Sequence, residues 1–252
     1  MSRILCIWKK ELVSYFTSAT GYAFLFLFLL LTSFLFFVLP SVDLKSGFRG
    51  NFFLQGEATL TDYFATFPVA LGLFVPILCI RLWPEEYKTG TVEVLMTLPV
   101  RASDVVIGKF LAMVTIVATA LGLSLVVPWT VGWVAVDGLD SGPIIGGYVG
   151  ALLLGGAYCA VAMFATAFTK EQVTGLLVAL VICFFLTFAG TAAVDLVTPD
   201  WLSERLKFIG FSVRFSSIEK GVLDFRDLFF FLSFTAMFAF LNVSVLEYRR
   251  LK

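Results

Sequence analysis

Six stretches of the chain are apolar almost without interruption: 21–39, 63–80, 110–136, 144–168, 174–194 and 228–246. Each reaches the roughly 18 residues at which a helix crosses the hydrocarbon layer of a bilayer. Hydrocarbon offers backbone polar groups no outside partner, so each span is expected to be a helix. Barrel strands would alternate over about ten residues, and no such alternation is present. The expected fold class is all-α. It is a polytopic integral membrane protein with six transmembrane helices, forming one transmembrane domain over 1–252.

The segments between the runs refine this picture. Residues 1–18 place Ile4, Leu5, Trp8, Leu12, Tyr15 and Phe16 on one helical face, with Lys9, Lys10, Glu11 and Ser14 on the other. A tryptophan and two lysines suit a helix lying in the membrane interface; the alternative is a cytoplasmic extension of the first span. The first run exceeds a signal-peptide core of about 7–15 residues, and no small-residue cleavage site follows Leu39, so the span is expected to be retained. The loop 40–62 is polar, with Phe48, Phe52 and Phe53 as interface anchors. The loop 195–227 is expected to hold two helices against the membrane surface, over 201–211 and over 215–225, the second broken at Gly221. Pro68, Pro76 and Pro128 are expected to kink their spans locally. In span four, Gly146-xxx-Gly150 and Gly156-xxx-Ala160 allow close helix contact, either inside one subunit or between two.

Composition and charge then set the class and the orientation. Sixty per cent of residues are apolar, 14% are charged, and the mean hydropathy is +0.97; a soluble domain carries about 25% charge. Eleven of the 18 Lys and Arg flank the first-to-last cytoplasmic ends: Arg3, Lys9, Lys10, Arg81, Lys88, Arg101, Lys109, Lys170, Arg249, Arg250 and Lys252. The other seven are Lys45, Arg49, Arg205, Lys207, Arg214, Lys220 and Arg226. The positive-inside rule thus puts both termini in the cytoplasm. No ionisable residue is expected in the middle of a span, which argues against a proton-coupled carrier.

Candidate chemistry is sparse. The chain has no histidine, which removes the usual general base and most transition-metal sites. Cys79, Cys159 and Cys183 lie inside spans and Cys6 near the start; none has metal-like spacing, so they read as apolar filler. Gly108-Lys109 resembles the end of a phosphate-binding loop, but such a loop needs an earlier glycine at 103 and Ser or Thr at 110. Those positions are Ser103 and Phe110. Lys109 therefore reads as a basic residue flanking span three. No G-x-S-x-G occurs, and no catalytic residue, cofactor site or metal site is expected.

Between the second and third runs lies EEYKTGTVEVLMTLPV, residues 85–100. Trp83-Pro84 ends the second run, and Glu85 and Glu86 set acids where a helix N-terminus favours them. Lys88 follows, Gly90 interrupts, and Val92, Leu95, Met96 and Pro99 lead to a polar turn from Arg101 to Asp104. This is a short helix with apolar knobs between charges, tethered at both ends to spans and suited to docking in a partner's groove. The plain alternative is a loop that only connects two spans.

The pattern E-x3-G-T-x-E-x-L-x-T-L-P-V-x7-G-K, from Glu86 to Lys109, resembles the cytoplasmic coupling segment of ABC-2 type transporter permeases. The start WKKELVSYFTSATGYAF and the tail SSIEKGVLDFRDLFFFLSFTAMFAFL are similar to the gliding-motility-associated (Gld F-type) subgroup. The likeness covers essentially the whole chain. It implies the membrane half of an ATP-driven transporter in a bacterial inner membrane, not itself an enzyme. The partners it implies are two copies of an ABC ATP-binding subunit, a second permease copy (identical or related), the lipid bilayer and an extracytoplasmic auxiliary protein. No nucleic acid is implied. The ATPase-coupling interface it implies comprises Glu85, Glu86, Lys88, Gly90, Thr91, Glu93, Leu95, Met96, Pro99 and Arg101, with Gly108 and Lys109 completing the motif. A non-transporting scaffold or force-transmitting subunit of such a complex remains the second reading. A membrane enzyme fits poorly without histidine or buried acids.

Overall fold

In the computed structural model, residues 2–38, 41–43, 47–50, 60–90, 101–134, 141–169, 171–191, 194, 198–219, 221 and 224–250 are described. The architecture is helical and multi-pass. Five helical stretches among these residues are long and apolar enough to cross a membrane: Ala19–Phe37, Thr61–Lys88, Ala102–Val134, Ser141–Ala167 and Phe225–Tyr248. The run expected over 174–194 is shorter, a helix over Gln172–Phe188 of 17 residues. It stops because Gly190 takes the left-handed conformation (φ +72°) and turns the chain.

The elements in chain order are α1 (Ser2–Thr17), α2 (Ala19–Phe37), β1 (Ser41–Asp43), β2 (Gly47–Gly50), α3 (Thr61–Ala65), α4 (Phe67–Cys79), α5 (Pro84–Lys88), α6 (Ala102–Ser124), α7 (Val126–Val134), α8 (Ser141–Ala167), α9 (Gln172–Phe188), α10 (Asp200–Ile209), α11 (Phe211–Ile218) and α12 (Phe225–Arg250). The strands pair antiparallel, so the first loop carries a small hairpin that its polar composition did not announce.

Proline explains one of the breaks and shows how the bundle absorbs it. Pro128 has no N–H for the carbonyl of Ser124, four residues earlier, and α6 gives way to α7 there. The Tyr63 hydroxyl donates to that carbonyl at 3.4 Å, and the Ser124 hydroxyl meets the Tyr148 hydroxyl at 3.1 Å. A neighbouring helix thus takes up the acceptor that the proline released.

Helix α8 is the axis of the fold. Small residues along it let three neighbours approach: Gly147 faces the Phe64 ring, Gly150 faces Ile218 and Phe215, and Gly155 faces Val117. A Cβ on Gly150 would lie 2.6 Å from Ile218 Cγ2, so this glycine face is filled by α11 within the same chain. Gly146, too, abuts Ile218 and Gly221. Of the two readings left open by the sequence, packing within one subunit holds for the Gly146–Gly150 pair. Tyr158 then ties α8 to α9 and α4: its hydroxyl lies 2.6 Å from Thr187 Oγ1 and donates to the Pro68 carbonyl at 3.2 Å.

Helix α11 is more than a surface helix. Phe211, Phe215 and Ile218 are fully buried, and Phe211 packs edge-on against Phe231 and Phe234 of α12. The second helix of the loop 195–227 runs over Phe211–Ile218 rather than 215–225, starting after Gly210, and Gly221 (φ +81°), where a break was expected, turns the chain beyond it. Helix α12 runs beside α8 in the same direction, with Phe238 on Phe164 at 5.4 Å. One end of the bundle therefore collects the first residues of α1, the last turn of α8 and the last turn of α12.

Candidate functional site

The segment expected to face a partner emerges at that end. Pro84 starts α5, where its missing N–H costs nothing, and Glu85 and Glu86 occupy the first turn with Lys88 in the last. The Thr89 hydroxyl donates back to the Glu85 carbonyl at 2.9 Å, and Gly90 (φ +69°) then turns the chain in a conformation that glycine adopts without strain. Glu85, Lys88 and Gly90 are exposed, as is Arg101 where α6 begins. Thr91, Glu93, Leu95, Met96 and Pro99, expected to belong to the same surface, lie outside the described residues.

Although α5 is only five residues long, it is held by several other elements. The Tyr87 hydroxyl donates to the carbonyl of Ala167, the last residue of α8, at 3.3 Å. Pro84 lies against Gly175 of α9. The strongest tie is Glu86, whose carboxylate accepts from Lys109 Nζ at 2.7 Å. The same ammonium donates to Glu11 Oε1 at 3.0 Å and to the Leu82 carbonyl at 3.2 Å, and lies 5.1 Å over the Trp83 ring. An ammonium has three donors, and three acceptors are in place.

Lys109 is therefore not the flanking basic residue that its sequence context implied. Helix α6 begins at Ala102, well before the apolar run, and Lys109 sits inside it at 2% exposure. The residue beside it explains the burial. A Cβ on Gly108 would lie 2.9 Å from Ile7 Cγ2 and 3.2 Å from the Ile4 carbonyl, so α1 rests directly on the backbone of α6. That approach delivers Glu11 to Lys109. The Trp8 indole donates to Thr115 Oγ1 at 3.1 Å and the Tyr15 hydroxyl to the Leu78 carbonyl at 2.8 Å, fixing α1 along its length. Helix α1 thus packs on the bundle through the face that the periodicity marked as apolar, while Leu5 and Val13 remain exposed. Burial foremost, reinforced by nearby groups that include the Glu11 and Glu85 carboxylates, pushes the Tyr15 phenol well above its ordinary pKa and keeps it a neutral donor.

A polar cleft of about 260 Å³ opens over this joint, between α1 and the turn before α5; Lys10, Glu11, Arg81, Glu85, Glu86 and Lys109 are among its walls. Lys10 reaches the same two carboxylates, 3.8 Å from Glu11 and 4.0 Å from Glu86, but its side chain is 72% exposed. The site contains an ammonium with its donors committed and carboxylates engaged by it. It can hold helices in register, and the three donors of Lys109 are taken up by protein acceptors. Glu11 was placed on the polar face of α1 by periodicity and was missed as a ligand of Lys109; the only trace in the sequence was a Gly-Lys pair embedded among Val, Ile, Phe and Leu.

Residues 5–250 match the profile of the ABC-2 family transporter protein domain, nearly the whole chain. The chain belongs to the ABC-2 family of transporter proteins. No curated protein matches it. Membership makes it a transmembrane permease component of an ABC transporter, placed in a lipid bilayer and working with an ABC ATPase. The family is typically non-catalytic, the hydrolysis of ATP belonging to the partner.

Proposed function

We propose that this permease receives the work of ATP hydrolysis through residues 85–101, which dock in a groove of a separate ATPase subunit. The observation that supports this most is the anchoring of α5. Its outer side presents Glu85 and Lys88, while Glu86, Tyr87 and Pro84 are fastened to α1, α6, α8 and α9. A push on such an element displaces several spans together rather than bending a loop. Leu95 is the apolar anchor of the docked segment, and Glu93, Thr91, Met96, Pro99 and Arg101 complete the surface.

The full arrangement in this reading is a single transmembrane domain of six spans, with α9 as the short fifth. Both termini are in the cytoplasm of a bacterium and the protein lies in the inner membrane. Two permease copies stand on two ATPase subunits, and the subgroup is the gliding-motility-associated one that the start and tail of the chain resemble. The deciding experiment is co-purification of the ATPase with wild-type and Leu95→Asp permease at equal permease yield. A charge forced into an apolar groove costs a few kcal/mol, and about 1.4 kcal/mol is tenfold, so association falls more than about tenfold. Undiminished co-purification would reduce the segment to a linker.

A further inference from the structure

We infer that the Lys109–Glu11–Glu86 cluster is the strut that passes displacement of the ATPase-facing segment to α1 and α6 as one body. The inference rests on the docking reading above and adds to it the path and the part played by the N-terminal helix. Three elements far apart in sequence contribute one charge each: Glu11 from α1, Glu86 from α5 and Lys109 from α6. The ammonium is 2% exposed and the two carboxylate side chains are 11% and 16% exposed, so water screens the contacts little. Lys109 bridges the two acids from inside the joint, and Lys10 touches both from the exposed side at 3.8 and 4.0 Å.

Replacing Lys109 by a neutral residue removes the buried cation and leaves two acids to the one exposed cation of Lys10. Glu11 and Glu86 then face each other as like charges in a partly dry site, which drives α1 away from α5. With Lys109 present, any movement of Glu86 drags the ammonium, and through it Glu11. Gly108 makes this stiff, because the Ile7 side chain and the Ile4 carbonyl of α1 rest directly on the α6 backbone there. The Trp8 and Tyr15 hydrogen bonds tie α1 to α6 and to the end of α4, so α1 moves with both. Lys109 is in this sense a positioning residue: it acts through Glu11 and Glu86.

The test uses the assembled permease–ATPase complex. Cys6 is exposed while Cys79, Cys159 and Cys183 are buried, so a spin label attaches at Cys6, and a second is placed through Phe225→Cys, 87% exposed at the opposite end of the bundle. The distance between labels is measured without nucleotide and after trapping with ATP and vanadate. In otherwise wild-type complex the distance shifts on trapping. In Lys109→Met the shift is lost although the ATPase still co-purifies, and Lys109→Arg, which keeps the charge, restores it. Where Lys109→Met fails to assemble, the triple variant Glu11→Gln, Glu86→Gln, Lys109→Met removes the repulsion and is expected to assemble without the shift. A shift of wild-type size in Lys109→Met or in the triple variant, or no shift in wild type, overturns the strut. Failure of the docking reading shows separately, as undiminished co-purification of Leu95→Asp.

Discussion

Two ion clusters clamp opposite ends of the bundle, and they are built on different terms. Around Lys109 the cation is 2% exposed and is met by two carboxylates and a carbonyl drawn from three elements. At the other end, Arg214 of α11 donates to Asp227 of α12 at 3.1 Å with its side chain 24% exposed, and it lies over the rings of Phe208 and Phe230 at 5.8 and 5.2 Å. An ammonium is a compact, strongly hydrated point charge, so burying it requires several acceptors converging from different directions. A guanidinium is planar and weakly hydrated and can replace part of its water with aromatic faces. The lysine cluster joins three elements by charge pairs, whereas the arginine pairs by charge with α12 alone and meets α10 only through the Phe208 ring. The first is a joint; the second is a clasp between adjacent helices.

The distinction has consequences for stability that can be ranked. Lys109→Ala leaves two partly buried carboxylates without their cation and is expected to cost about 3–5 kcal/mol, the range for breaking one partner out of a buried pair. The measurement is equilibrium unfolding in mixed micelles, and a loss under 1 kcal/mol would show that water already reaches the joint. Arg214→Ala strands Asp227, whose side chain is 7% exposed, but the wetter pair should lose only about 1–3 kcal/mol. Equal losses at the two ends would erase the comparison. Lys10→Ala sharpens it from within the first cluster. Lys10 approaches the same two carboxylates as Lys109, yet at 72% exposure it should contribute under about 0.5 kcal/mol, and that contribution should fade in high salt. A larger, salt-resistant effect would mean that Lys10 shares the buried role.

Much of the fold was legible because long apolar runs leave few physical options. Five of the expected spans appear as helices of membrane-crossing length, and the small residues of span four correctly marked close packing. The errors lie at ends and at polar residues. Helix α6 was expected to start at 110 and starts at Ala102, since a helix accepts Asp104 in its first turn and can carry Lys109 once its ammonium finds partners. The run to 194 ignored Gly190, whose left-handed backbone ends α9 early. The short hairpin of β1 and β2 fell inside what read as a polar loop.

For the site, the sequence placed the acids at the start of α5 and the turn at Gly90, because these depend on neighbours a few residues away. It misassigned Lys109, because burial of a charge is decided by where its counterions come from. Glu11 lies 98 residues before it and Glu86 lies 23 before it. Hydropathy along the chain reports the solvent that a segment prefers, and so it determined by itself that the chain is a helical membrane protein. Which glycines touch which rings, and which acids neutralise the buried Lys109, are questions of approach between helices. Those were decided only when α1 came down on Gly108 and α11 on Gly150, since a contact a few ångströms long cannot be read from residues that the chain holds far apart.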